Sequence, residues 1–247
     1  MKETLGKATD GWTILTPAEI ARAEGAFGEL VEQVEGEERA WREQALVVFL
    51  TVLGSGVRRG ELLGLRWRDV QLADPDGATL RVRETVVRGR AETPKSQAGE
   101  RTIALAPRLA DELWQHRRRS RFNGDDERVF CHPERGSVLD HKRYARTLRL
   151  ALANAKIERP MRPFHDGRHS SITNAAVAGL SPAALMARAG HSDFKTTQGY
   201  IDLAGETFRA EASRLEERLW GSTSTKFRYQ DGGSSPVEAT KTADVQD

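Results

Sequence analysis

Apolar residues recur at helical spacing along most of the chain and alternate in one short stretch. Thr16 and Pro17 form an N-cap and first-turn pair, and Ile20, Ala23, Phe27, Leu30 and Val31 follow on one helical face. A second helix is predicted over about 37–53, with Trp41, Ala45, Val48, Phe49 and Val52 as its apolar face and Gly54-Ser55-Gly56 as its stop. A short helix over about 59–65 comes next. Then the period changes. Asp74-Pro75-Asp76-Gly77 signals a turn, Leu80-Arg81-Val82-Arg83 alternates, and Thr85-Val86-Val87 and Thr102-Ile103-Ala104-Leu105 are rich in strand formers. These segments predict a three-stranded sheet within 78–106, with a loop around Lys95. Helical spacing resumes over about 108–119, 139–155, 166–178, 182–189, 193–199 and 206–219. The predicted fold class is therefore mainly α with a small three-stranded antiparallel β-sheet (α+β). Residues 1–15 read as a flexible N-terminal arm, and 221–247, rich in Ser, Thr, Gly and Asp, as a disordered tail.

Composition narrows the class. A chain of 247 residues suits one large domain or two small ones. The longest apolar run, 45–53, is broken by Thr51; a membrane span needs roughly 20 residues. The polar start Met1-Lys2-Glu3-Thr4 lacks the apolar core of a secretory signal. A single cysteine, Cys131, excludes an internal disulfide framework and a multi-cysteine zinc site. The expectation is a cytoplasmic, soluble protein with no membrane contact. Thirty of the 38 basic residues are arginine, yet the net charge is only +2. Arginine's planar fork suits phosphate, although a GC-rich coding sequence explains the bias equally well. The near-neutral balance excludes a histone-like electrostatic binder, so any contact with nucleic acid has to come from a local patch.

Four segments carry candidate chemistry. In Gly56-Val57-Arg58-Arg59-Gly60-Glu61, two arginines stand at a predicted helix start, the unfavourable end of the macrodipole for a cation. They are either solvated surface groups or holders of a phosphate that reverses the penalty; Glu61, one turn on, orients Arg58 or simply favours the helix start. Lys95 at a hairpin tip either keeps the loop soluble or supplies a mobile ammonium that donates a proton. His165-Asp166-Gly167-Arg168-His169 places His165 and Arg168 on one face, able to grip a phosphate while the imidazole handles a proton. Its His165 and His169 also have zinc-like spacing, but Asp stands where a zinc protease would carry Glu, and no third ligand is near. In Gly190-His191 through Tyr200, the tyrosine is either half-buried packing or a nucleophile.

Taken in order, Arg58 with Glu61, Lys95, His165-x-x-Arg168, Gly190-His191 and Tyr200 resemble the catalytic domain of the tyrosine recombinases, the phage-integrase-type site-specific recombinases. The likeness covers about 16–220. It implies catalytic roles for Arg58, Lys95, His165, Arg168, His191 and Tyr200, with Glu61 buttressing Arg58. By the same resemblance Tyr200 attacks a DNA phosphodiester, giving a 3′-phosphotyrosine and a free 5′-hydroxyl. Arg58 and Arg168 hold the non-bridging oxygens, Lys95 protonates the leaving oxygen, His165 accepts the tyrosine proton, and His191 bonds the phosphate. Rejoining by a partner strand runs through a Holliday junction and needs neither cofactor nor metal. The resemblance implies double-stranded DNA as partner, nucleoid association when bound to it, and a homo-tetramer on DNA, with a monomer in solution compatible with it.

The departures from the family pattern are Gly167, Ala189 and Asp202, and none removes a catalytic group. Gly167 costs helix propensity of about 1 kcal/mol relative to Ala. Family members carry a helical core-binding domain before the catalytic one, closing a C-shaped clamp. That domain is expected to be absent here, with weak DNA binding as the consequence. An apolar stripe of Phe208, Ala212, Leu215 and Leu219 packs on its own core or docks into a neighbouring protomer. Arg117, Arg118, Arg119 and Arg121 form a helix-end cluster that is either solvated or in contact with phosphate. The alternatives to an active recombinase are a catalytically idle DNA-binding or assembly fragment and a metal-dependent hydrolase built on His165 and His169.

Overall fold

The N-terminal helices form as patterned. The protein is described by a computed structural model over residues 12–72, 77–87, 90–92, 100–191, 193–204 and Arg218. Helix α1 spans Pro17–Glu32: the Thr16 hydroxyl accepts from the Glu19 amide, while the Glu19 carboxylate accepts from the Thr16 amide. Helix α2, Gly36–Ser55, buries Trp41, Ala45, Val48, Phe49 and Val52 against α1 and α5. Gly56 ends it at φ 69°, a left-handed conformation that suits glycine. Helix α3 covers Arg59–Gly64 and leads through a tight turn at Trp67–Asp69 into strand β1, Val70–Gln71.

The sheet differs from expectation in which strands it contains. Strand β1 pairs with β2, Thr79–Val82, which pairs with β5, Arg101–Ala104; both pairings are antiparallel. Leu80 opposes Ile103, and both side chains are buried, as alternation requires. Segment Thr85–Val87, expected within this sheet, instead forms β3 and pairs with β4, Arg90–Glu92, in a separate two-stranded ladder. The vacant edge position goes to β1, a two-residue segment too short for any periodicity to reveal. Val86 is the buried member of β3, and β3 packs against α3, so its apolar side is satisfied away from the main sheet.

Helices α4 (Pro107–Arg119), α5 (His141–Asn154), α6 (His165–Val177), α7 (Pro182–Ala189) and α8 (Phe194–Ala204) complete the described fold. Helix α8 is longer than the sequence pattern suggested. Gly167 is buried where α6 crosses α2: a Cβ there would stand 2.8 Å from Val52 Cγ1. The propensity cost of this glycine is the condition for close packing.

Residues 12–15, expected as part of a loose arm, are packed instead. Leu15 is fully buried, its amide donates to the Ser170 hydroxyl at 2.9 Å, and the Thr13 hydroxyl donates to the Pro160 carbonyl at 2.6 Å. Their apolar members Trp12, Ile14 and Leu15 are too few to show a period. The basic cluster at the end of α4 and just beyond it is largely paired: Arg117 with Asp125, Arg119 with Glu43 and Arg121 with Glu134. The chain divides into two units, Met1–Thr207 and Phe208–Asp247, and everything above concerns the first. The predicted turn at 74–76, Lys95 and its loop, the helix at 206–219 apart from Arg218, and the tail lie outside the described residues. Among the described residues, no helix is long and apolar enough to cross a membrane.

Candidate active site

The left-handed turn at Gly56 delivers Arg58 to the start of α3, where its side chain stays about half exposed at 46%. Arg58 Nη1 donates to Glu61 Oε1 at 2.9 Å, and its Nη2 donates to the Gly190 carbonyl at 3.0 Å. Glu61 is buried, and its second partner was not foreseen. Arg101, the first residue of β5, forms a two-pronged ion pair with it, Nη1 to Oε1 at 3.0 Å and Nη2 to Oε2 at 2.7 Å. Arg101 Nε donates to the Arg188 carbonyl at 2.9 Å, tying β5 to the end of α7. Burial pushes the Glu61 carboxyl up, but the Arg101 hydrogen bonds and the Arg101 and Arg58 charges outweigh it and hold the group below the usual carboxylate range.

Arg168 emerges from the first turn of α6 and is only 9% exposed. Its Nη1 donates to the Gly56 carbonyl, and its Nη2 to the Ala189 carbonyl at 2.7 Å and to His191 Nε2 at 3.0 Å. Burial, followed by repulsion from Arg58, lowers its pKa to about 10, so it remains a cation at neutral pH. Three guanidinium groups, Arg58, Arg101 and Arg168, thus gather around one carboxylate, Glu61. The recess has an excess of positive charge, the electrostatic signature of an anion site.

His191 follows Gly190, whose φ of 64° turns the chain out of α7. Arginine can only donate, so His191 Nε2 accepts from Arg168, and Nδ1 carries the proton toward Thr197 Oγ1 at 3.0 Å. Burial and then the Arg168 charge lower its pKa to about 4, leaving it neutral. Its ring stacks near Tyr200 at 5.9 Å.

His165 opens α6 and lines a cleft of about 670 Å³ together with Arg58, Arg59, Thr85, Phe164 and Arg168. Its Nδ1 lies 3.3 Å from Asp166 Oδ1, which orients the ring. Asp166 is itself gripped by Arg162, through the backbone amide at 2.8 Å and the guanidinium at 2.8 and 3.1 Å.

Tyr200, on α8, is 4% exposed. Its hydroxyl lies 2.7 Å from Nδ1 of His169, whereas no hydrogen bond joins it to His165 among the described residues. Burial raises its pKa against the lowering effect of Arg168 and Arg58. The structure therefore brings Arg58, Glu61, Arg168, His191 and Tyr200 together, places His165 at the cleft beside them, and leaves Lys95 outside the described residues. Arg101, Asp166 and Thr197 escaped the sequence reading, because a lone Arg, Asp or Thr in an amphipathic segment carries no spacing signal. The zinc arrangement lacks a third ligand: no group of three His, Cys, Asp or Glu side chains able to hold a metal occurs among the described residues.

The helical scaffold with its small antiparallel sheet thus carries the guanidiniums of Arg58, Arg101 and Arg168 around Glu61, with Tyr200 beside them. The phage integrase family pattern matches residues 27–206, and the chain belongs to that family. It is 26% identical over 189 residues to a tyrosine recombinase XerC-like protein of Caldanaerobacter subterraneus subsp. tengcongensis, covering 68% of this chain and 47% of the relative. It is 35% identical over 157 residues to a putative prophage phiRv2 integrase of Mycobacterium tuberculosis, covering 60% and 39%. The chain thus spans less than half the length of these relatives. In fold it is similar to the Tn1549 transposon integrase solved with a circular intermediate DNA, at TM-score 0.61 and 23% identity, covering 85% of this chain and 68% of that one.

Proposed function

We propose that this protein is a site-specific DNA recombinase that cleaves and rejoins strands through a 3′-phosphotyrosine on Tyr200 and resolves a Holliday junction. One observation carries the reading: Arg168, buried and held by two backbone carbonyls, stands between an anion recess and the His191–Tyr200 pair. Two fixed guanidiniums, Arg58 and Arg168, stabilise charge developing on the non-bridging phosphate oxygens without a metal ion. His165 faces the same cleft and bonds the phosphate or handles a proton there; Lys95 is the general acid for the leaving 5′-oxygen. Assembly as a tetramer on double-stranded DNA accompanies this reading.

The test uses a randomised pool of nicked duplexes, from which protein-linked DNA is recovered under denaturing conditions in the presence of EDTA. Wild-type protein should capture DNA covalently and enrich one sequence, and Tyr200→Phe should capture none. Capture by Tyr200→Phe at the wild-type level would refute the nucleophile. The low exposure of Tyr200 favours one competing reading, an idle DNA-binding fragment; DNA binding with no covalent product from the wild type would establish it.

A further inference from the structure

Tyr200 does not meet the histidine that the family resemblance offered as its base. Its hydroxyl contacts His169 Nδ1 at 2.7 Å, and that pair is buried. Trp12 stacks on the face of the His169 ring at a centroid distance of 3.8 Å and 22°. Trp12 also stacks near Tyr200 at 6.0 Å, so one indole fixes both partners of the hydrogen bond.

Resting on the reading of Tyr200 as nucleophile, we infer that His169, held in place by Trp12, is the catalytic group that accepts the Tyr200 proton. In the step, the Oη–H bond breaks and its proton passes to His169 Nδ1 as Oη bonds to phosphorus. The phosphorus–O5′ bond breaks, and the leaving oxygen takes its proton from the general acid. Strand rejoining reverses both transfers: the incoming 5′-hydroxyl returns its proton to the general acid as O5′ bonds to phosphorus, the phosphorus–Oη bond breaks, and Tyr200 recovers its proton from His169.

The surroundings keep the acceptor ready. Burial first, then His165, lowers the His169 pKa to about 4, so the ring is neutral and able to accept throughout the neutral range. The groups facing it are His165, Asp166 and Arg168 on α6, Arg162 just before that helix, and Tyr200 on α8; Asp166 alone among them favours the protonated ring. Phosphate binding against Arg168 adds a second negative charge and raises the ring's basicity when the proton has to move. His165 remains free to act at the cleft that it lines. Trp12 acts through His169 and is a positioning residue.

Two measurements test this on the full chain. In ¹⁵N-histidine NMR at pH 7, His169 Nδ1 should appear as the unprotonated, accepting nitrogen, and its resonance should shift in Tyr200→Phe. A protonated Nδ1, or one indifferent to that substitution, overturns the inference. Single-turnover adduct formation on a nicked duplex selected by wild-type capture supplies the second readout. His169→Ala should cleave about 10²-fold more slowly at pH 7, the low end of typical general-base effects. The deficit should shrink as pH rises toward the tyrosine pKa, and added imidazole should restore part of the rate. His169→Asn keeps a hydrogen-bond acceptor near the Nδ1 position but takes no proton; it should melt like wild type and still be slow at pH 7. Trp12→Ala should lower the rate about 10-fold without changing the pH profile's shape. Wild-type rates in both His169 variants, a pH-independent deficit, or faster cleavage would each overturn the assignment. If Tyr200→Phe also forms adduct, or wild type forms none, it is the nucleophile reading that fails.

Discussion

The larger of two hydrophobic clusters joins α1, α2, α4, α5 and the main sheet through Phe27, Trp41, Phe49, Trp67, Ile103 and Leu148, and Val57, Leu62 and Leu63 root Arg58 and α3 in it. The smaller joins α6, α7 and α8 through Ile172, Ala176, Leu185, Ala189, Tyr200 and Ile201. Arg58 and Tyr200 therefore stand on supports of different strength, with Arg168 on α6 between them. A large core over-determines the position of Arg58, whereas a cluster containing two alanines does little to hold α8. Local opening costs scale with such burial. With Tyr200 only 4% exposed, the smaller cluster has to loosen around the Tyr200–His169 pair before a phosphate reaches it, and the weaker support lets it do so without disturbing the rooting of Arg58.

Substitutions across both clusters test this contrast, in decreasing order of expected effect. Arg58→Ala and Arg168→Ala should each lower the adduct-forming rate by about 10²–10³. They should differ in stability: Arg58 is half exposed, but Arg168 satisfies the carbonyls of Gly56 and Ala189. Thermal melts should show Arg168→Ala losing a further roughly 1–3 kcal/mol from unpaired buried groups and Arg58→Ala almost nothing. Equal losses would mean that both arginines belong to one cooperative support.

Phe49→Ala should destabilise the whole protein by about 3–5 kcal/mol. Ile201→Ala should instead speed hydrogen exchange in α8 while leaving α2 protected; matching exchange changes in both helices would merge the two clusters into one unit. Gly167→Ala tests the seam between them, because the added methyl meets Val52 Cγ1. Overpacking of this kind costs about 1–3 kcal/mol, read by denaturant titration, and Val52→Ala in the same chain should recover part of it.

The smallest effect concerns acid. Glu61 has a folded pKa below its unfolded value, so the stability it contributes is present above the unfolded pKa of about 4.3 and is lost as pH falls through the folded one. Glu61→Gln should flatten that acid limb of the melting curve below about pH 4; an unchanged slope would show that Arg101 and Glu61 are not coupled in solution.

Much of this arrangement is legible in order along the chain. Helical periodicity located α1, α2, α4, α5 and α7 because each has one face against a core, and Pro17, Pro107 and Pro182 mark three of their starts. Local spacing also brought out Arg58 with Glu61 and His165 with Arg168, since residues one turn apart share a helix face, and the helix stop at Gly190 marked His191. Strand membership was harder to read. Val70–Gln71 is two residues long, and Thr85–Val87 has the same composition whether it joins the main sheet or leaves it. Trp12 sits in a stretch without period, yet it stacks against a helix more than 150 residues further along.

By itself, the sequence determined the helical class, the order of the chemical groups and the family to which they point, because those depend on local periodicity and on short motifs. The tertiary structure decided the pairings: Arg101 on Glu61, Thr197 on His191, Asp166 beneath His165, and His169 rather than His165 on Tyr200. Each of these contacts is set by how α6, α7, α8 and β5 converge, and apart from Asp166 beside His165 they join residues whose separation in the chain has no fixed period.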